Sequence, residues 1–347
     1  MMPELNYKAL KNIILLPSVG FLLMASLSNC ASNDTPAVPT MLWPDPPDQP
    51  RIELVDILDN DSYTKGGTSD QIKSIFFGAS ATKKLLQPAS VAADLLGNVY
   101  VTDSGAGKIV VFNKQAKTRL EFGERGKAAL QWPTGIVLSD SLIYVSDARQ
   151  RKVICMTHQG EFVRNIGGDD ELVKPSGLGY HATTNRVYVT DGGSHSIAVF
   201  DAGTGAHLFN FGQRGVGPGE FNFPNNLTVS HDQVYVIDAM NFRVQIFDLE
   251  GNFLKEFGEA GDSAGYLYRP KGISVSEDKF IFITDASYNN FQIFDEDGNV
   301  YLFVGGKGTS PGQFNIPSDI FISAENMIYV VDQRNDRVQV FKFLGGD

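Results

Sequence analysis

Four polar residues lie just after regularly spaced prolines, at places where they could form one cluster. Asn225, Asn226 and Asp319 carry side-chain oxygens of the kind that bind a hard divalent cation such as Ca²⁺. Such a cation would support metal-assisted elimination or hydrolysis. Lys271 brings a positive charge to the same place, which disfavours a metal. The favoured alternative is an ion pair between Lys271 and Asp319, with the asparagines hydrogen-bonded beside it.

No other group of residues in the sequence indicates a catalytic site. Residues 308–312 have the letters of a nucleophile elbow, but they do not lie between a strand and a helix. The two cysteines, Cys30 and Cys155, are too few for a disulfide framework, a cysteine-rich zinc site or a c-type haem motif. We therefore predict no catalytic residue, no bound metal and no cofactor.

The polar cluster belongs to a unit that the chain repeats six times. Each unit contains an apolar strand that ends in an aspartate, and these are Asp103, Asp147, Asp191, Asp238, Asp285 and Asp332, spaced by 44 or 47 residues. Each aspartate follows a proline by fourteen to sixteen residues, and these are Pro88, Pro133, Pro175, Pro224, Pro270 and Pro317. Four short, turn-bounded strands per unit are typical of a propeller blade. The sequence therefore predicts an all-β, six-bladed β-propeller.

The repeat array also predicts how the ring closes. The sixth unit stops after its third strand, because only six residues follow Phe341. Residues 74–78 have the pattern of the missing fourth strand, and Gly78 precedes the end of the next such strand, Gly123, by 45 residues. We expect this N-terminal strand to complete the last blade, which would leave no open sheet edge.

Longer motifs carry a resemblance to a known repeat family. Residues 241–247 and 335–341 share the pattern Asn-x-Arg-Val-Gln-x-Phe, and residues 211–221 follow Phe-Gly-x-x-Gly-x-Gly-x-Gly-x-Phe. Together with the Pro-x-Gly-Ile and Tyr-Val-x-Asp segments, these motifs resemble NHL repeats. The resemblance covers residues 73–347, and it implies the propeller architecture far more specifically than it implies any activity.

The resemblance also implies where an enzyme of this type would hold a metal. Peptidyl-amidating lyases, which have a similar repeat, place histidines directly after the blade prolines. Here those positions hold Ala89, Thr134, Ser176, Asn225, Lys271 and Ser318. That histidine site is therefore not expected. Gluconolactonase-like propellers use Glu, Asn and Asp instead, so an exported lyase or lactone hydrolase with a divalent metal in the propeller pore remains the alternative.

The N-terminal segment has the pattern of an export signal. Lys8 and Lys11 precede an apolar run over residues 13–27, which is too short to span a bilayer. The following Leu-Ser-Asn-Cys resembles a bacterial lipobox, in which Cys30 is acylated. We predict a lipoprotein signal peptide over residues 1–29, a proline-rich tether over 30–51 and the propeller over 52–347. The expected location is the outer membrane, on its periplasmic or cell-surface side.

Charge separates the two faces of the predicted propeller. The formal net charge of −11 disfavours nucleic-acid binding. The loops after the repeated aspartates are nevertheless basic, whereas the opposite face is acidic, and such asymmetry can orient an anionic partner. The predicted docking residues are Arg149, Arg151, Lys152, Arg243, Arg334 and Arg337. The alternative is that these arginines brace the aspartates of their own blades.

The sequence as a whole favours an interaction protein. We predict a non-catalytic, monomeric scaffold or accessory subunit that binds a protein partner in a cell-envelope or surface assembly and contacts the membrane only through its lipid anchor. The arrangement is similar to exported bacterial NHL-repeat lipoproteins, some of which accompany multihaem cytochromes, and this resemblance implies a partner of that kind. A glycan-binding module is a further alternative, since loop aromatics such as Trp132 and Tyr288 could stack on sugars.

Overall fold

The computed structural model describes residues 40–63, 85–168 and 170–345. These residues form an all-β structure whose helical turns are short 3₁₀ segments, Gly126–Ala128, Ala239–Asn241 and Gln333–Asn335. Within these residues no helix has the length and apolar character needed to cross a membrane. The predicted signal peptide, Cys30 and residues 74–78 lie outside the described residues.

The strands group into six antiparallel sheets, which are the six predicted blades. The first blade, from the innermost strand outward, contains Pro88–Ala93, Val99–Asp103, Lys108–Asn113 and Thr118–Phe122. The second contains Pro133–Leu138, Leu142–Asp147, Lys152–Thr157 and Phe162–Ile166. The third contains Pro175–His181, Arg186–Asp191, Ser196–Asp201 and His207–Phe211. The fourth contains Pro224–Ser230, Gln233–Asp238, Arg243–Asp248 and Phe253–Phe257, and the fifth contains Pro270–Val275, Ile281–Asp285, Asn290–Phe294 and Val300–Val304.

The hydrophobic core lies between neighbouring blades. The second strand of the first blade, Val99–Asp103, is buried along its whole length because both of its faces are covered by adjacent sheets. The outer strand Thr118–Phe122 is instead partly exposed, with charged residues among its apolar ones. Side chains such as Tyr144 and Leu178 pack together from adjacent blades. Burial of each large apolar side chain contributes about 1.5–3 kcal/mol, so this packing joins the blades firmly.

The sixth blade closes the ring. Its strands, from the innermost outward, are Pro317–Ile322, Met327–Asp332, Arg337–Phe343, Ile52–Leu58 and Met41–Trp43. Ile52 lies opposite Phe343 and Leu58 lies opposite Val338, so an N-terminal strand does complete the last blade. That strand is Ile52–Leu58, however, and the assignment of this position to residues 74–78 is wrong. Ile52 and Leu54 are buried in the core of the sixth blade, which explains why this segment takes the position.

Part of the predicted tether also belongs to the propeller. Met41–Trp43 pairs with Ile52–Leu58 and adds a fifth strand to the sixth blade. The Trp43 ring lies edge-on to Phe341, with 5.7 Å between the ring centroids. Gly312 has a φ of 74°, and a Cβ atom there would lie 2.8 Å from the Trp43 ring. Both the backbone conformation and the close indole ring therefore require glycine at this position.

Candidate binding site at the mouth of the central channel

The six innermost strands surround a central channel, and each begins at one of the repeated prolines. The residue after the proline often donates a hydrogen bond to the next blade. Asn225 Nδ2 donates to the Pro270 carbonyl at 3.0 Å, and Ser318 Oγ donates to the Ala89 carbonyl at 2.9 Å. These contacts join neighbouring blades around the end of the channel at which the prolines lie, which we call the channel mouth.

Lys271 occupies the same position in the fifth blade but makes no such contact. Among the described residues, its ammonium group forms no hydrogen bond and no ion pair. It lines a cavity of about 330 Å³ at the channel mouth, together with Lys174, Arg269, Asn225 and two aromatic residues, Trp132 and Phe223. No described Asp or Glu lines this cavity, so three basic side chains surround it without a carboxylate among them.

The repeated aspartates position these side chains. Each carboxylate accepts hydrogen bonds from backbone N–H groups that lie just before the proline of its own blade. Asp191 accepts from Lys174 N at 2.7 Å, and Asp285 accepts from Arg269 N at 2.9 Å. Asp147 likewise accepts from Trp132 N at 3.1 Å. These hydrogen bonds hold the backbone of the mouth residues in place. They do not involve the side chains of those residues, which differ from blade to blade.

The charge of Lys271 is poorly compensated. Burial lowers the pKa of this lysine below its ordinary value, and the nearby positive charges of Arg269 and Lys174 lower its pKa further. The same pocket contains an unused acceptor, because the buried Oδ1 atom of Asn225 has no hydrogen-bond partner in the described structure. Buried polar atoms normally have partners, so the mouth offers both cations and an acceptor to a ligand.

Asp319 lies deeper in the channel and does not pair with Lys271. Its carboxylate accepts hydrogen bonds from Ser90 Oγ at 2.5 Å, from Val91 N at 3.0 Å and from Asn226 Nδ2 at 2.9 Å. Burial raises the pKa of Asp319 to about 6, although these hydrogen bonds oppose the rise. The expected ion pair between Lys271 and Asp319 is therefore wrong, since the carboxylate is satisfied by donors from the facing strands.

The same contacts test the alternative metal site. Asn226 presents its amide nitrogen to Asp319, and its Oδ1 atom accepts a hydrogen bond from Leu227 N at 2.9 Å. The Asn225 oxygen lies at the mouth, whereas Asp319 lines a second cavity of about 220 Å³ further along the channel. The oxygens of these residues do not converge. In the described part of the chain, no three His, Cys, Asp or Glu side chains form a possible metal site.

Two of the predicted docking residues brace their own blades. Arg243 is only 7% exposed, and its guanidinium donates to Asp238 at 3.0 Å and to Glu256 at 2.9 Å. Arg337 is similarly buried and donates to Asp332 at 2.8 Å. Both arginines also donate to backbone carbonyls of the preceding loop. They therefore follow the alternative interpretation, and they do not belong to a docking surface.

The other predicted docking residues differ from one another. Arg149 is exposed, and its guanidinium lies over the Trp132 ring at 5.4 Å from the centroid, which places it at the rim of the channel mouth. Arg334 is exposed beside Gln333, which lines the mouth cavity. Arg151 donates to the Leu172 carbonyl at 3.0 Å. Lys152 is half-buried opposite Asp147 in the sheet.

The sequence did not predict that two further basic residues, Lys174 and Arg269, share the channel mouth with Lys271. Lys174 and Arg269 lie in loops between blades, outside the set of predicted site residues. Both lie directly before a blade proline, and this position is the signal that could have found them. Residues on either side of the repeated prolines face the channel mouth in this fold.

Comparisons with known proteins agree with the architecture. The family model of the 6-bladed beta-propeller DUF5128 matches residues 169–260 and 266–347. The human E3 ubiquitin-protein ligase NHLRC1 is 31% identical over 121 residues, which cover 34% of this chain. The match spans only 29% of that ligase.

Solved structures show the same fold at lower identity. A protein of unknown function from Bacteroides thetaiotaomicron has a TM-score of 0.60 and 17% identity, with 76% of this chain and 70% of that chain covered. The virginiamycin B lyase of Staphylococcus aureus has a TM-score of 0.55 and 15% identity, with 76% and 97% covered. At these identities the likeness concerns the fold alone. Because the family model matches half of the sequence and the structure has six blades, this chain belongs to the DUF5128 family of six-bladed β-propellers.

Proposed function

We propose that this propeller is a non-catalytic interaction protein that docks an acidic protein partner at its channel mouth and on the surrounding rim. The observation that carries the proposal is the convergence of Lys174, Arg269 and Lys271 on one cavity that no described carboxylate lines. The exposed arginines Arg149 and Arg334 lie on the rim of the same mouth. Unpaired charge of one sign steers and orients a partner of the opposite sign.

Export belongs to the same proposal. The apolar run at residues 13–27 and the lipobox-like ending at Cys30 support a lipid-anchored protein of the outer membrane. The partner is then a protein of a cell-envelope or surface assembly. The ligase relative matches only a third of this chain, and its activity is not part of the proposal.

Lyase or lactone-hydrolase activity has weaker support. The likeness to virginiamycin B lyase rests on 15% identity, which concerns the fold. Asn225, Asn226 and Asp319 do not present a converging set of oxygens, so the residues of the channel do not fit the divalent metal that such chemistry would use.

An affinity capture experiment tests the docking proposal. The full chain with a C-terminal affinity tag is incubated with native envelope extract, next to a variant carrying Arg149→Glu and Arg334→Glu. The parent should retain a partner in stoichiometric amount, and the variant should lose it because the rim charge is reversed. Lys342→Glu is the matched control, since Lys342 is an exposed residue of the predicted opposite face. Equal capture by all three proteins would contradict the proposal.

A further inference from the structure

We infer that the channel mouth is a carboxylate-binding site that receives a glutamate or aspartate side chain of the docked protein partner. The inference rests on the proposed function and adds to it the group that is recognised and the residues that recognise it. Lys174, Arg269 and Lys271 supply the positive charge, and Asn225 supplies an acceptor for the partner backbone.

These three cations differ from many other basic residues of the chain because they form no ion pair with a described residue. Several basic side chains form an ion pair with a carboxylate in the described structure, and these are Lys108, Arg119, Arg186, Arg243, Lys279 and Arg337. The three mouth cations have no such partner among the described residues. Lys271 in addition is largely withdrawn from solvent, which is costly for a charge that nothing compensates. A bound carboxylate would supply the missing compensation.

The size and walls of the cavity indicate one side chain as the occupant. A volume of about 330 Å³ is at the small end of the range for ligand pockets. Trp132 and Phe223 provide apolar walls against which the methylene groups of a glutamate can pack. Two lining residues, Phe223 and Ile316, have left-handed backbone with φ of 56° and 59°, which is unfavourable for bulky side chains. Such strain is often retained at binding sites.

The unused acceptor favours a peptide over a simple anion. Asn225 Nδ2 already donates to the Pro270 carbonyl, so its buried Oδ1 atom is what the residue offers to a ligand. An acceptor beside three cations suits a ligand that carries an N–H group next to its carboxylate. A glutamyl peptide has both groups, whereas a simple carboxylate such as acetate has no donor for the amide oxygen.

The test uses a reporter that the chain already contains. The sequence has two tryptophans, and Trp132 lines the mouth while Trp43 packs against the sixth blade. In a Trp43→Phe variant, indole fluorescence therefore reports on the mouth. The probes are N-acetyl-Gly-Glu-Gly-amide, the same peptide with Gln in place of Glu, and galacturonate. Calorimetric titration of the unchanged chain repeats the measurement in case Trp43→Phe does not fold.

We expect the glutamyl peptide to bind saturably, with a dissociation constant of about 1 mM or lower, and the glutaminyl peptide to bind at least about tenfold more weakly. Lys271→Met should weaken the glutamyl peptide by about tenfold or more, because it removes the central charge-assisted hydrogen bond. Lys342→Met is the matched control and should leave the affinity unchanged. The ammonium group of Lys271 has no hydrogen bond or ion pair in the described structure, so the variant should stay folded.

Three results would overturn the inference. The first is equal affinity for the glutamyl and glutaminyl peptides, and the second is unchanged binding by Lys271→Met. The third is saturable binding of galacturonate without binding of the glutamyl peptide, which would assign the mouth to an acidic glycan. The capture experiment remains separate, because Arg149→Glu with Arg334→Glu leaves all three mouth cations in place. Partner capture without peptide binding would remove this inference and keep the docking proposal.

Discussion

Arg243 and Lys271 are both basic residues of the same repeat, yet Arg243 is paired with carboxylates and Lys271 is not. Arg243 is enclosed by Asp238, Glu256 and two backbone carbonyls, so each of its three guanidinium nitrogens has a partner. Lys271 projects into the channel mouth with no described partner and with other cations nearby. The repeat places Arg243 beside a blade aspartate and Lys271 after a blade proline, and this difference in pairing distinguishes a structural cation from the cation that we propose binds a ligand.

The bracing arrangement recurs in the blades that have the full motif. In the fourth blade, Asn241, Arg243 and Gln245 all donate to Asp238 Oδ2, at 2.7, 3.0 and 3.1 Å. In the sixth blade, Asn335, Arg337 and Gln339 donate to Asp332 Oδ2 at 2.7, 2.8 and 3.2 Å. The motif Asn-x-Arg-Val-Gln thus gathers three donors around one buried carboxylate. Such clusters stabilise the turn that ends the second strand.

Removal of a brace should have the largest effect on stability. Arg243→Met would leave Asp238 buried with only part of its hydrogen bonds and without its counter-charge. The free energy of unfolding should fall by about 3–5 kcal/mol, which is the usual result of breaking one side of a buried ion pair. Chemical denaturation of the parent and the variant measures this difference.

Arg334→Met is the control for that experiment. Arg334 lies in the sixth blade, in the turn that follows Asp332, and its side chain is exposed. Its effect should stay within about 0.5 kcal/mol, as for other surface substitutions. If Arg243→Met and Arg334→Met were equally mild, the bracing role would be incorrect. Arg243 would then return to the set of possible docking residues.

Asp319 is a buried carboxylate that forms no ion pair with any described residue. Asp319 has a pKa of about 6 in the folded chain because of burial, against an ordinary value of 3.8. The folded state therefore binds a proton more readily than the unfolded state between these values, so the stability should rise as the pH falls from 6 to 4. The expected gain is about 2–3 kcal/mol. In Asp319→Asn this contribution should disappear.

Comparison of the two pH profiles isolates this group. Burial raises the pKa of Asp332 as well, and hydrogen bonds lower the pKa of the partly exposed Asp201, but these contributions are common to parent and variant. Unfolding free energies at pH 4 and 7 are measured for the parent, for Asp319→Asn and for the exposed control Asp140→Asn. Identical pH dependence in all three proteins would show that Asp319 is ionised without penalty, contrary to its enclosed position.

The fold was largely predictable because each blade is encoded locally. A strand pattern repeated at 44–47 residues, with a proline and an aspartate at fixed places, identifies six blades without knowledge of any distant contact. The closing strand was not predictable in the same way. Residues 74–78 and Ile52–Leu58 both have strand patterns, and the choice between them depends on pairing with Arg337–Phe343 nearly 300 residues away.

The repeat indicates which residues lie near the channel, but it does not indicate which of them contact one another. The places after the prolines predicted pore-lining positions for Asn225, Asn226, Lys271 and Asp319, and these residues line two cavities beside the innermost strands. Which of them touch depends on depth along the channel, and the sequence does not contain that information. Asp319 lies deep enough to meet Ser90 and Asn226, whereas Lys271 stays at the mouth.

The smallest predicted effect has the opposite sign from the first. Lys271→Met removes a charge that burial and two neighbouring cations disfavour, so the free energy of unfolding should increase, by about 0.5–1 kcal/mol. The pKa of Lys271 is lower in the folded chain than in the unfolded one. The parent should therefore gain stability as the pH rises towards the ordinary lysine range, and the variant should lack this gain. Thermal unfolding at pH 7 and 9.5 measures both quantities.

Lys342→Met is again the matched control, since it removes the charge of an exposed lysine. A destabilised Lys271→Met protein would mean that the ammonium has a structural partner, and the contrast with Arg243 would then fail. A more stable variant that binds the glutamyl peptide less well would instead show that Lys271 lowers the stability of the fold and raises its affinity for the ligand. That opposition is expected only of a charge kept for a ligand, because a charge kept for the fold would be paired as Arg243 is.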